Sequence, residues 1–109
     1  MIIRVDVDET ICYYEDKREY PLAKPRSDRI AMINELYEQG HTIVYWTARG
    51  SLTGKDWFEL TVNQLTTWGA KYHAVELGKP HYDFYIDDKS MNSEAFFSSF
   101  GKIMTKRED

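Results

Sequence analysis

The sequence predicts one α/β domain, built on a mostly parallel sheet with helices on its faces. Two observations carry that prediction. Short β-branched or aromatic runs alternate with stretches of helical periodicity, in the order β-α-β-α-β-β-α. The apolar runs at 2–7 and 83–88 also end in carboxylates, Asp6 and Asp8 in the first, Asp87 and Asp88 in the second. A parallel sheet gathers such strand ends at one edge, where open α/β folds bind their ligands.

Taken in order, Ile2, Ile3, Val5 and Val7 give the first strand its β-branched character. Residues 11–25 mix aromatics, charges and two prolines, which predicts a loop or irregular hairpin. A helix follows, capped by Ser27 or Asp28, with Ile30, Ile33, Leu36 and Tyr37 at helical spacing and Gly40 as its stop. Residues 41–47 form the second strand. A second helix covers 55–68, with Trp57, Leu60, Leu65 and Trp68 facing inward. Residues 73–77 are a short third strand, 83–88 a fourth, and 91–100 a closing helix whose apolar side is Phe96, Phe97 and Phe100. The tail from 105 to 109 is expected to fray.

At 109 residues, 42% hydrophobic and 15% aromatic, the chain has enough apolar side chain for a single core and is too apolar for a disordered chain. A net charge of −4 argues against nonspecific binding to nucleic acid or an anionic membrane. No apolar run approaches the roughly 18 residues of a membrane span. The start has no basic-then-apolar leader, and the lone Cys12 cannot form an internal disulfide, so the cytoplasm is the expected location.

Carboxylates crowded at one sheet edge repel one another. A divalent cation removes that cost, and all-oxygen ligands suit Mg²⁺. The full motif set is Asp6-Val7-Asp8-Glu9-Thr10 after the first strand, Thr47 at the end of the second, Lys79 in a Gly-Lys-Pro turn, and Asp87-Asp88 after the last apolar run. In this order, across residues 2–90, it resembles the haloacid dehalogenase (HAD) phosphatase superfamily. "YPLAKP" and "TARG" further resemble small members encoded with capsule and other surface-polysaccharide genes.

The resemblance implies a Rossmannoid three-layer α/β/α sandwich over residues 1–109, acting as a Mg²⁺-dependent phosphomonoester hydrolase. It makes Asp6 the nucleophile and Asp8 the acid and base of the two half-reactions. Thr10 braces the loop. Thr47 and Lys79 hold the phosphoryl oxygens, and the implied metal site is Asp6, the backbone carbonyl of Asp8, and Asp87, with Asp88 either binding through water or anchoring Lys79. The implied substrate is a small phosphorylated sugar or polyol. A phosphoprotein or nucleic-acid end, or a non-catalytic binding module, are the alternatives. A phosphate-accepting receiver domain fits less well, because it places its adjacent acidic pair at the first strand.

Only 36 residues separate Thr10 from Thr47, and 31 separate Thr47 from Lys79, too few for a cap domain in either gap. The flap at 11–25 is then the only local lid. Its Tyr13, Tyr14 and Tyr20 either border the leaving group or pack within the hairpin. A large substrate or a second subunit in a homo-oligomer would complete the cover. Arg49 is either a surface cation or a substrate contact. Glu9 is expected in solvent and Cys12 as a packed thiol. His41, His73 and His81 are expected in surface or packing roles, and Trp46, Trp57 and Trp68 in the core.

Overall fold

The computed structural model describes residues 1–105. β1 (Ile2–Val5) leads into a hairpin of β2 (Cys12–Tyr13) and β3 (Lys24–Pro25), with a 3₁₀ turn at Tyr20–Leu22 between them. α1 (Ser27–Glu38), β4 (Thr42–Trp46), α2 (Phe58–Thr67) and β5 (Ala74–Glu76) follow. The chain then reaches α3 (Ser93–Ala95), a π-helical turn at Phe96–Phe100, and α4 (Gly101–Thr105). The irregular hairpin, both long helices and the first three strands thus form where the sequence predicts them. The closing helix is a composite of three short pieces rather than one run. The expectation of fraying covers residues 106–109, which lie outside the described residues; Thr105 ends α4.

β1, β4 and β5 make a parallel sheet in that order. The register sets Ile3 beside Ile43, and Val5 beside Tyr45 beside Val75. Neighbours in register point to the same face, so these five residues line one side of the sheet. Ile30, Ile33 and Leu36 of α1, Leu65 of α2 and Phe97 belong to the same core cluster. Three apolar residues at helical spacing in α1 each lose essentially all their exposure, each contributing roughly 1.5–3 kcal/mol of burial. Gly40, at φ +95°, takes the left-handed conformation that ends α1. The residue in the N-cap position is Arg26, with no side-chain cap, so neither Ser27 nor Asp28 plays the capping part expected of it.

The opposite face of the sheet carries Arg4, Trp46 and Glu76, with Arg4 paired to Glu76 and lying 5.2 Å over the Trp46 ring. Ile2 on that side is 75% exposed. The helices described here cover one face, and the third layer expected from the sequence is not formed among the described residues. The fourth strand explains why. Residues 83–88 adopt no strand and pair with nothing in the sheet, leaving β1 as an edge. Phe84 and Ile86, which would have lost their exposure in a docked strand, stay more than four-fifths exposed.

Candidate active site

The loop leaving β1 is built around Val7, which is fully buried. The backbone N–H groups of Thr10 and Ile11 both donate to the Val7 carbonyl, at 3.2 and 3.0 Å. Glu9 turns the chain at φ +60° and points to solvent, as expected of a bystander. This curl anchors Val7 inward and presents Asp6 and Asp8, on either side of it, to one cavity. The Thr10 hydroxyl lies 3.4 Å from Asp6 Oδ2, the bracing part predicted for it.

Two further strand ends meet this loop. Thr47 follows β4, is almost fully buried, and its backbone N–H donates to the Glu76 carbonyl at the end of β5. The Lys79 N–H donates to the Thr47 carbonyl at 3.2 Å, and the Ser51 hydroxyl donates to the Lys79 carbonyl at 2.7 Å. These clamps fix the Gly-Lys-Pro turn. They set the Lys79 ammonium 3.6 Å from Asp6 Oδ1. Asp6, Asp8, Thr47, Arg49 and Lys79 therefore line a single cavity of about 530 Å³ at the carboxyl edge of the sheet.

The two carboxylates differ in surroundings. Burial raises the Asp6 carboxyl above its ordinary value, and the charge of Lys79 only partly offsets this. Burial acts on Asp8 in the same direction, yet the hydrogen bonds and charge of Arg49 outweigh it, and its carboxyl is held below its ordinary value. Arg49 grips Asp8 with both ends of its fork, Nε to Oδ2 at 3.0 Å and Nη2 to Oδ1 at 2.8 Å. Its Nη1 donates to Thr61 Oγ1 and to Gln64 Oε1, and the guanidinium lies 4.8 Å over the Tyr20 ring. The Tyr14 hydroxyl also donates to Asp8. Arg49 is thus not a surface cation; it is buried, lines the cavity and holds Asp8 in place.

The flap reaches the site through Tyr14 and Tyr20, whereas Tyr13 packs 5.4 Å from Arg26. Trp57 is half-buried and lines the cavity, edge-on to Tyr20 at 5.1 Å, so it is a wall and not a core residue. Arg18, Lys55 and His81 also line the cavity, and sequence reasoning gave none of them a part there. Thr61 and Gln64, polar residues on the turn of α2 that carries Leu65, were the available signal for the Arg49 network. Cys12 is buried, and burial pushes its thiol up to about 12, as a packed thiol requires. His73 stacks on Tyr37 and accepts from the Ile43 N–H, a packing part.

Asp87 and Asp88 are exposed and do not line the cavity. Among the described residues no three Asp, Glu, His or Cys side chains converge. Mg²⁺ takes six oxygens in near-octahedral array, usually through one or two carboxylates and several waters. Of the expected ligands, Asp6 and Asp8 reach the cavity, with Asp6 facing Lys79, while Asp87 and Asp88 stand outside it. The Asp8 side chain is held by Arg49 and Tyr14, which leaves its backbone carbonyl as the ligand expected of it.

Fold and site together define an α/β protein with a cationic, carboxylate-bearing cavity at the carboxyl ends of its parallel strands. No family model and no curated protein matches the sequence. A crystal structure of a target protein from Vibrio cholerae superposes with a TM-score of 0.79 at 26% identity, covering 96% of this chain and 97% of that one. The likeness extends over the whole architecture. No described helix is long and apolar enough to cross a membrane.

Proposed function

We propose that the protein is a phosphomonoester hydrolase of the HAD type, working through an aspartyl-phosphate on Asp6 and acting on a small phosphorylated sugar or polyol. The observation that supports this is the convergence of Asp6, Asp8, Thr47 and Lys79, from three separate chain segments, on one cavity. Asp6 attacks phosphorus with a carboxylate oxygen, the bond from phosphorus to the leaving oxygen breaks, and the leaving oxygen of a sugar takes its proton from Asp8 once that carboxyl has gained one. Thr47 and Lys79 hold the phosphoryl oxygens as charge builds on them. Water then attacks the phosphorus of the aspartyl-phosphate and gives its proton to Asp8, which releases Asp6 and inorganic phosphate.

Asp8 enters this reading ionised, so it suits the second half-reaction directly. Serving as acid in the first requires it to gain a proton, which Arg49 opposes. Aryl phosphates, whose leaving oxygen departs without a proton, are therefore the best reporters. From the flap, Tyr20 forms part of the cavity wall and Tyr14 reaches Asp8.

Asp6→Asn is expected to lower turnover of p-nitrophenyl phosphate by about 10³-fold or more, with circular dichroism unchanged. A near-wild-type rate in that variant removes the nucleophile from the mechanism. Absence of phosphate release by the wild-type protein from sugar phosphates, nucleotides and phosphopeptides alike supports a binding module instead.

A further inference from the structure

The cavity holds more positive charge than hydrolysis of one phosphate needs. Lys79 and Arg49 are each committed to a carboxylate, Asp6 and Asp8. Arg18 and Lys55 line the same cavity, and among the described residues neither forms an ion pair. Two exposed, unpaired cations on one concave surface raise its local positive potential, although the chain as a whole is acidic, at −4. An anionic ligand is drawn to that potential.

Their placement separates them from the nucleophile. Arg18, Tyr20 and Trp57 also line an adjoining recess of about 430 Å³, which contains none of Asp6, Asp8, Thr47 or Lys79. Glu19 borders that recess without pairing with Arg18. Lys55 belongs to the same wall, its ammonium 4.2 Å from the centre of the Trp57 ring. The loop before it is tightly built. Gly50 sits at φ +82°, its carbonyl accepts from the Gly54 N–H at 2.8 Å, and a Cβ on Gly50 would stand 2.1 Å from the Lys55 carbonyl oxygen. Only glycine admits that approach, so the loop fixes the Lys55 backbone beside Gly50.

We infer, resting on the phosphatase reading, that Arg18 and Lys55 form a second anion subsite beside the Tyr20–Trp57 wall. The substrate is then a phosphorylated sugar whose leaving group carries a second anionic group, a carboxylate or another phosphate. The cavity volume suits a ligand of that size. The reacting phosphoryl group sits at Asp6, Thr47 and Lys79, the sugar ring spans the aromatic wall, and the second anion meets Arg18 and Lys55.

Steady-state kinetics with glucose 1-phosphate, glucose 1,6-bisphosphate and glucuronic acid 1-phosphate test this and separate the two anion types. At least one of the two substrates with an anionic leaving group is expected to show a kcat/KM about tenfold above that of glucose 1-phosphate, a gain in the range of charge-assisted contacts. In the Arg18→Ala/Lys55→Ala protein that preference collapses toward unity, chiefly through KM. Equal kcat/KM for all three in the wild-type protein overturns the inference. A calorimetric titration of Asp6→Asn keeps it apart from the phosphatase reading. Glucose 1,6-bisphosphate should bind about tenfold more tightly than glucose 1-phosphate, and lose that margin when Arg18 and Lys55 are also removed. Equal binding overturns the subsite whatever the turnover; preferential binding with no turnover of any phosphate, p-nitrophenyl phosphate included, upholds the subsite and fails the hydrolase.

Discussion

A guanidinium with no exposed surface has to find an acceptor for nearly every N–H, and Arg49 does so with Asp8, Thr61 and Gln64. The sequence placed Arg49 two residues past Thr47 but could not show its partner, which lies 41 positions away. Asp6, Asp8, Thr47 and Lys79 were legible because motif order encodes them. Arg49 was not, because a buried ion pair is written in three-dimensional proximity. Replacing it leaves a mostly buried carboxylate without its cation, and Arg49→Met is expected to cost about 3–5 kcal/mol in urea unfolding. The pH dependence has a definite sign. Because Asp8 is held below its ordinary value of 3.8, its contribution to stability is present above pH ~4 and is lost as the pH falls through the lower folded value. Arg49→Met should flatten that acid-side loss. A variant as stable as the wild type, with an unchanged acid limb, would show that the pair contributes nothing to the fold.

The elements that the sequence disclosed are those whose pattern and burial coincide. α1 shows Ile30, Ile33 and Leu36 at helical spacing and buries all three; β4 reads as a continuous apolar run and buries Ile43, Val44 and Tyr45. Residues 83–88 have the composition of a strand, but a strand exists only where an edge accepts its hydrogen bonds, and no local pattern supplies that. The consequence reaches the site, since Asp87 and Asp88 travel with the segment. Any Mg²⁺ shared with Asp6 needs one of them brought into the cavity. Added Mg²⁺ should then slow chymotryptic cleavage after Phe84 and Tyr85, by about tenfold at ten times its dissociation constant. Asp87→Asn together with Asp88→Asn should abolish the slowing. Cleavage that is indifferent to millimolar Mg²⁺ takes magnesium out of the reading.

At the scale of the whole molecule two fields oppose each other. The net charge of −4 repels a phosphorylated substrate from every side, while the cavity attracts it through Arg18, Lys55 and Lys79. Distance decides between them. The molecule measures 47 × 32 × 26 Å, several times the Debye length of about 8–10 Å near physiological ionic strength. Scattered surface carboxylates are therefore largely screened at the mouth of the cavity, whereas its own cations act within a few ångströms of the ligand, between low-dielectric walls that focus the field. Raising the salt weakens the nearer, attractive field more than it relieves a repulsion already screened. For an anionic sugar phosphate, kcat/KM is expected to fall several-fold between about 20 and 200 mM salt, with kcat nearly constant. The fall should be steeper for a bisphosphate than for a monophosphate, and shallower once Arg18 and Lys55 are replaced by alanine. A kcat/KM that rises with salt would mean that the global negative charge governs encounter and that the cavity cations do not steer the substrate.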